Sequence, residues 1–281
     1  NNIFNDNAIT VGANSYWSFE NLINNSGQRI SVDGFWTMGS SSDLVGDIDN
    51  SGKLYAKGFD INTKGSLHNN ASAQLVAYDG SFKYSGLSTS SHIDNKGGLF
   101  IRERAEITAK SLTNTGNIEI IGKNTQNETI VESSSITLSG DLKNGISEGN
   151  VQNNGVLNSG HSLTINANSL INQSVVGTNA PNHEYEGIDS YYFVHDGRGG
   201  KTDSLQHHLK YVYGEYKTST ASTLSVQGNL TLKGKEFINS GSSVNVTGNL
   251  DIGGVNAKNS SRTSEGTAVG LVWGIISNGN G

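Results

Sequence analysis

A five-residue pattern recurs along this 281-residue chain and constrains its fold more than any other feature. The pattern is an apolar residue, any residue, asparagine, any residue and a small residue, as in LTNTG at residues 112–116. Successive central asparagines are separated by 25, 19, 26, 19, 39, 19 and 67 residues. A period near 20 residues is typical of solenoids, in which each repeat forms one coil that stacks on the next. The central asparagines are Asn25, Asn50, Asn69, Asn95, Asn114, Asn153, Asn172 and Asn239.

Short segments between these asparagines alternate apolar and polar residues, as at Ile118/Ile120 and Leu230/Leu232. Alternation with a period of two is typical of half-buried β-strands. Glycine-containing turn signals bound each segment, so several four-residue strands and tight corners fill each period. This arrangement predicts an all-β protein, a parallel β-helix of about 11 to 13 coils over residues 1–281. The 39-residue step then corresponds to about two coils.

The asparagine has a physical role in such a fold. Coils of a β-helix stack about 4.8 Å apart, so equivalent side chains lie above one another. An amide side chain both donates and accepts hydrogen bonds, and it can therefore bond its copies in the coils above and below. The small residue two positions later gives room for a crowded or left-handed corner. The predicted ladder comprises Asn25, Asn50, Asn95, Asn114, Asn153, Asn172 and Asn239.

Composition narrows the possible partners. The formal net charge of −6 offers no basic surface for nucleic acid or an anionic membrane. The longest apolar run, residues 267–276, is too short to span a bilayer. The chain contains no cysteine, so packing and hydrogen bonding must supply its stability.

Residues 211–252, YVYGEYKTSTASTLSVQGNLTLKGKEFINSGSSVNVTGNLDI, resemble the repeat region of filamentous-haemagglutinin-like exoproteins of two-partner secretion. In that family an aromatic tract leads into a coil of the form GGNLTLxGxxxxNxxSxIxAGGNLxI. Residues 227–232 and 239–250 fill this pattern, although Gln227 and Thr247 replace glycines that the family often has. The family includes adhesins and contact-dependent growth inhibition effectors.

The resemblance implies a right-handed parallel β-helix that is exported through an outer-membrane transporter and secreted to the bacterial cell surface. It also implies a monomeric, non-catalytic stalk segment that requires no cofactor and contacts a protein or glycan receptor on a target cell. Neither a secretion domain nor a toxin is evident in the sequence, which indicates an internal piece of a longer protein. A purely structural spacer is the alternative.

The 67-residue step predicts an insertion at residues 175–222 in excess of two regular coils. Residues 182–216 hold six of the ten tyrosines and four of the seven histidines, and recognition surfaces concentrate such aromatic residues. The same aromatic residues could instead cover the side of the solenoid. The candidate partner-binding residues are Tyr185, Tyr191, Tyr192, Phe193, His195, Tyr211 and Tyr213.

Catalytic and metal functions have weaker support. His207 and His208 are adjacent and should point to opposite sides of an extended chain, so no metal site is predicted. Some parallel β-helices are carbohydrate-active enzymes that use paired carboxylates. The densest charge run here, IRERAEIT at residues 101–108, is more typical of a solvated strand face, and catalysis stays a minor alternative.

Overall fold

The computed structural model describes residues 1–86, 88, 90–131, 133–138, 149–176, 184–194, 203–212, 219–253, 255–260, 262–263, 271–272 and 275–278. These residues form strands and connecting turns, and none of them is helical. The chain divides into two compact units. The first comprises residues 1–175, 221–262 and 272–281, and the second comprises residues 176–220 and 263–271.

The first unit is a parallel β-helix, as the repeat predicted, and each of its coils has three faces. The asparagine face is a ten-stranded parallel sheet that ends each strand at or near an asparagine. Its strands are β1 (Asn2–Asn5), β4 (Asn21–Asn24), β6 (Asp47–Asn50), β8 (Leu67–Asn69), β11 (His92–Asn95), β14 (Ser111–Asn114), β17 (Asn150–Asn153), β20 (Ser169–Gln173), β27 (Glu236–Ser240) and β30 (Asn256–Ser260).

The other two faces form one 17-stranded sheet because β5 (Arg29–Met38) and β7 (Lys53–Thr63) bend from the second face into the third. The second face also contains β2 (Ile9–Val11), β9 (Gln74–Ala77), β12 (Gly98–Ile101), β15 (Asn117–Ile120), β18 (Val156–Ser159), β25 (Thr223–Val226), β28 (Ser243–Val246) and β33 (Ile275–Asn278). The third face adds β3 (Ser15–Trp17), β10 (Phe82–Gly86), β13 (Ala105–Ala109), β16 (Ser134–Leu138), β19 (Leu163–Asn166), β26 (Leu230–Lys233) and β29 (Leu250–Asp251).

Alternating side chains from all three faces fill the interior. Leu112, for example, is fully buried and lies in register between Ile93 and Val151 of the neighbouring coils. The widest side chains stack on the third face, where Trp36, Phe59 and Phe82 are successive register partners. Their ring centroids lie 5.7 Å and 6.1 Å apart. Burial of such large apolar side chains is the main stabilising contribution in a fold without disulfides or helices among its described residues.

The coil count differs from the prediction. β14 pairs directly with β17, so the 39-residue step from Asn114 to Asn153 is one coil with long corners and not two coils. β20 likewise pairs directly with β27, so the 67-residue step from Asn172 to Asn239 is one coil that carries the whole insertion. Among the described residues the asparagine face therefore has ten strands, one from each coil, against the 11 to 13 coils expected. Corner length cannot be read from a period alone.

The second unit contains an antiparallel hairpin of β22 (Glu184–Val194) and β23 (Asp203–Val212), with a register shift between Ile188 and Ser190. The insertion begins at β21 (Val175–Val176) and ends at β24 (Ser219–Thr220), and these two strands pair with each other. A further two-stranded sheet joins β31 (Arg262–Thr263) and β32 (Leu271–Val272).

Candidate functional site

A continuous ladder of buried asparagine side chains runs along the corner that follows the asparagine face. Each Nδ2 donates to Oδ1 of the asparagine in the next coil, at 2.7–2.8 Å. These bonds join asparagines that are 19 to 67 residues apart in sequence, so the ladder geometry does not depend on the number of residues in a coil. Its members are Asn5, Asn24, Asn50, Asn69, Asn95, Asn114, Asn153, Asn172 and Asn239.

From Asn24 to Asn172, the second hydrogen of each ladder amide is donated to a backbone carbonyl. Nδ2 of Asn114 also donates to the Val156 carbonyl at 2.8 Å, where the next coil begins its second face. The equivalent bond of Asn69 goes to the Gly98 carbonyl at 3.0 Å. Both amide hydrogens are thus used inside the protein, which removes the cost of burying this polar group. The corner pattern in the sequence predicts the ladder bond but not this second bond.

Asn25 is not a ladder residue, and its assignment from the sequence was wrong. The ladder passes through Asn24, because Leu22 is buried and Ile23 faces outward in β4. Asn25 is exposed and donates to the Asp6 carboxylate. The corner after Asn24 has two more residues than the corner after Asn50, since Ile30 and Leu54 are register partners. Because of these extra residues, Gly27 lies three positions after the ladder residue Asn24. The pentapeptide pattern, which requires two positions, therefore selects Asn25.

Glycine in the pentapeptide is required by crowding. A Cβ at Gly116 would lie 2.1 Å from the Gly97 carbonyl oxygen of the preceding coil, and one at Gly155 would lie 2.1 Å from the Gly116 carbonyl oxygen. Neither residue has a positive φ, in contrast to Gly241 at φ 58°. The corners need space between coils more than they need left-handed backbone. At the two departures from the family pattern, the Thr247 hydroxyl donates to Gln227 Oε1 at 3.3 Å.

The predicted partner-binding residues belong to the insertion. Tyr185 and Tyr211 are cross-strand register partners in the hairpin, and Tyr191, Tyr192 and Phe193 follow in the same strand as Tyr185. The hairpin thus gathers five of the seven candidate residues onto two paired strands. His195 and Tyr213 lie outside the described residues.

The IRERAEIT run anchors a loop that sequence analysis did not identify. This strap, residues 122–131, follows β15 and lies over the corner between the second and third faces. Arg102 of the coil before it pairs with Glu128 of the strap. Glu103 accepts a hydrogen bond from Asn124 at 3.2 Å. Glu128 adopts a left-handed φ of 53°, a conformation uncommon for a residue with a side chain.

The strap reaches two coils back to Asp79. The Thr125 hydroxyl beside the Asp79 carboxylate is the first cause that holds the pKa of this carboxyl below its ordinary value. A hydrogen bond from Lys57, with Nζ 3.1 Å from Asp79 Oδ2, is the second. The charge run therefore has a structural role, because two of its side chains, Arg102 and Glu103, hold the strap in place.

A groove of about 420 Å³ lies beside the strap. Val76 and Phe100 form its floor from outward positions of the second face, and Tyr78 and Ile121 line it as well. Tyr78 and Ile121 are exposed at 44% and 38%, which is high for residues of this size. A larger groove of about 490 Å³, lined by Glu20, Asn21, Asp47 and Lys64 among others, is mainly polar.

A buried serine–histidine pair lies at the base of the strap. The Ser134 hydroxyl is 2.6 Å from His161 Nε2, and the Ala105 amide donates to the same hydroxyl oxygen at 2.9 Å. Burial lowers the pKa of His161; the Val131 carbonyl opposes this shift without forming a regular hydrogen bond to the buried Nδ1. Ser134 and His161 are 0% and 3% exposed, so no substrate can reach them and the pair is a packing element.

The described part of the chain lacks two further features. No group of three or more histidine, aspartate or glutamate side chains there could hold a metal ion. The described residues also include no helix with the length and apolar character needed to cross a bilayer.

Comparison with protein-family models, with curated proteins and with solved structures finds no match to this chain.

Proposed function

We propose that this chain is a non-catalytic segment of the stalk of a large secreted bacterial exoprotein and that its hairpin insertion contacts a receptor on a target cell. One observation carries the proposal. The Asn172 amide donates to Asn239 Oδ1 at 2.8 Å although 67 residues separate them. The ladder is thus continuous across the insertion, so the regular scaffold accommodates a long inserted segment within one coil.

The hairpin is the proposed contact region because of its composition. Tyrosine supplies a large, rigid contact area together with a polar tip, and it is enriched where proteins recognise partners. Six of the ten tyrosines of the chain fall within residues 182–216. The resemblance of residues 211–252 to filamentous-haemagglutinin-like exoproteins supports export through an outer-membrane transporter, a location on the bacterial cell surface and a protein or glycan receptor.

A replacement of the hairpin tests the proposal. Because β21 pairs with β24, residues 177–218 can be exchanged for a short Gly-Ser linker with little change in the distance to be closed. We expect the variant to keep its strand-rich circular dichroism spectrum and thermal midpoint. Flow cytometry with the fluorescently labelled chain, on intact Gram-negative bacteria and on cultured epithelial cells, should show binding by the parent chain and its loss in the variant.

A second variant guards against a folding defect. Serine at Tyr191, Tyr192 and Phe193 keeps the full chain length, and alanine at exposed Asn25 is the matched control. Loss of binding in the triple variant but not in the control supports a hairpin contact. Unchanged binding in both hairpin variants, or no binding by the parent chain to any cell tested, favours the purely structural spacer.

A further inference from the structure

The groove beside the strap breaks the polar pattern of the outer surface. Val76 and Phe100 occupy outward positions on successive strands of the second face, and both are half-buried. In the following coils the same outward position carries glutamate, asparagine and serine. Tyr78 and Ile121 continue the apolar surface at the corner. The core of the β-helix is filled by the inward side chains of each strand. The outward side chains that form this apolar floor therefore do not contribute to the core.

Polar groups stand around this floor. Tyr78 donates its hydroxyl hydrogen to the Asp33 carbonyl at 3.0 Å, which fixes the ring beside the groove. Arg102 lines the groove and its side chain is 18% exposed. Its guanidinium has five N–H donors, and the pair with Glu128 is its contact with the described part of the strap. The Thr125 side chain lines the groove from the strap; its hydroxyl hydrogen faces the Asp79 carboxylate, which leaves the oxygen as an acceptor for a ligand.

The combination matches the chemistry of a pyranose ring. Such a ring presents a face of C–H groups and an edge of hydroxyls that both donate and accept hydrogen bonds. The C–H face suits the aromatic and aliphatic floor, and the hydroxyl edge suits a rim that carries the guanidinium of Arg102 and the hydroxyl of Thr125. A purely aliphatic ligand would leave the rim groups without partners, which costs binding free energy.

The length of the groove sets the size of the ligand. Val76, Phe100 and Ile121 belong to three successive coils. At about 4.8 Å per coil, the apolar floor extends over about 10 Å, which is the length of two linked sugar rings. The volume of about 420 Å³ also suits a ligand of this size.

We propose that this groove binds a disaccharide-sized portion of a glycan, with the sugar rings against Val76 and Phe100 and their hydroxyls on Arg102 and Thr125. This site is additional to the proposed hairpin contact and lies entirely within the β-helix. The strap supplies one wall through Thr125, so this long corner has a function in the site. The two surfaces are separable, since the groove contains no residue of the insertion.

Saturation-transfer NMR on the purified chain tests the site with lactose, maltose, cellobiose and N,N′-diacetylchitobiose as probes. We expect transfer to the ring C–H protons of at least one disaccharide, with a Kd on the order of 1 mM. Phe100→Ala should weaken that binding at least about tenfold, because it removes the ring that faces the sugar. Asn158→Ala is the matched control, since Asn158 holds the same outward position on a later coil of the second face and lies outside the groove.

Each outcome decides the proposal. Transfer that Phe100→Ala abolishes and Asn158→Ala retains supports it, and the hairpin-replaced chain should then bind the disaccharide as the parent does. This last result separates the groove from the cell-binding proposal, because either can fail alone. No transfer from any of the four probes, or equal binding by Phe100→Ala and the parent, overturns the glycan site. Binding of an apolar peptide without any disaccharide binding also overturns it.

Discussion

Two corners of the same coils differ in how they are built. The asparagine corner repeats one side chain in nine coils and bonds each copy to the next at 2.7–2.8 Å, whatever the length of the coil between them. The corner between the second and third faces has a different sequence in each coil, and in one of them it expands into the strap. The comparison shows that the same residue and hydrogen bond recur at the asparagine corner, whereas the sequence at the corner between the second and third faces can vary.

The hydrogen bonds at each corner explain why sequence variation is tolerated at the corner between the second and third faces. A buried amide with both hydrogens and its oxygen satisfied is costly to disturb, because its loss leaves buried partners unpaired. The strap is held by the pairs Arg102–Glu128 and Glu103–Asn124, contacts that lie at or near the surface. Surface ion pairs and hydrogen bonds contribute little to global stability. Residues at this corner can therefore change without loss of the fold.

The largest effect should come from the ladder itself. Asn114→Ala removes two donated hydrogen bonds and the acceptor for Asn95, so we expect a loss of about 2–4 kcal/mol in the free energy of unfolding. Denaturant titration measures it. Thr113→Ala in the same strand faces outward and should change stability by less than about 0.5 kcal/mol. Equal effects of the two substitutions would contradict a structural role for the ladder.

A smaller loss is expected where the coils approach closely. Gly116→Ala puts a methyl group at 2.1 Å from the Gly97 carbonyl oxygen, and the resulting shift should cost about 1–3 kcal/mol by denaturant titration. Gly12 has no atom within 4 Å of the site of a Cβ and provides the control. If Gly12→Ala destabilises as much as Gly116→Ala, crowding between coils is not the reason for glycine in the pentapeptide.

Acid should weaken the base of the strap. Burial lowers the pKa of His161 in the folded protein, so the unfolded chain takes up the proton at a higher pH than the folded one. The stability associated with the neutral ring is complete above pH about 6.5 and is lost as the pH falls through the lower folded pKa. Thermal midpoints between pH 8 and pH 5 should fall less in His161→Gln than in the parent. A pH profile of His161→Gln equal to that of the parent would exclude this coupling.

The smallest effect should come from the strap contacts. Glu128 is 61% exposed in its pair with Arg102, so Glu128→Ala should alter the free energy of unfolding by no more than about 1 kcal/mol. Disaccharide binding in the groove should respond more than stability does, since the strap forms one wall. A loss of stability comparable to that of Asn114→Ala would remove the distinction between the two corners.

The repeated asparagine made the solenoid predictable because identical side chains mark equivalent positions on successive coils. Asn114 and Asn153 lie in the ladder for that reason, whereas Asn25 was assigned in place of Asn24 because Leu22 and Ile23 are both apolar. Whether Leu22 or Ile23 points into the core is decided by the register with the neighbouring strand. The coil count was wrong for a related reason, since 39 residues can form two short coils or one coil with long corners.

The groove could not be predicted because its floor looks like core. Val76 and Phe100 lie beside buried Leu75 and Leu99 in short apolar runs, and a sequence alone does not show that they face outward. The role of Arg102 was hidden in the same way, because its partner Glu128 is 26 residues away on a loop with no repeat. Contacts between an irregular corner and a regular coil leave no periodic signal.

Hydrogen exchange of individual amides tests the difference between the two corners most directly. At the asparagine corner, the Thr115 and Gly116 amides donate to the Asn95 carbonyl at 2.8 Å and 3.1 Å and should exchange only when the coil unfolds. At the strap, the Gln126 and Glu128 amides each donate to Asn124, within the same loop, and should exchange by local opening, at least about 100-fold faster after correction for intrinsic rates. Equal protection at the two corners would contradict the view that one corner holds the coils together while the other is free to vary.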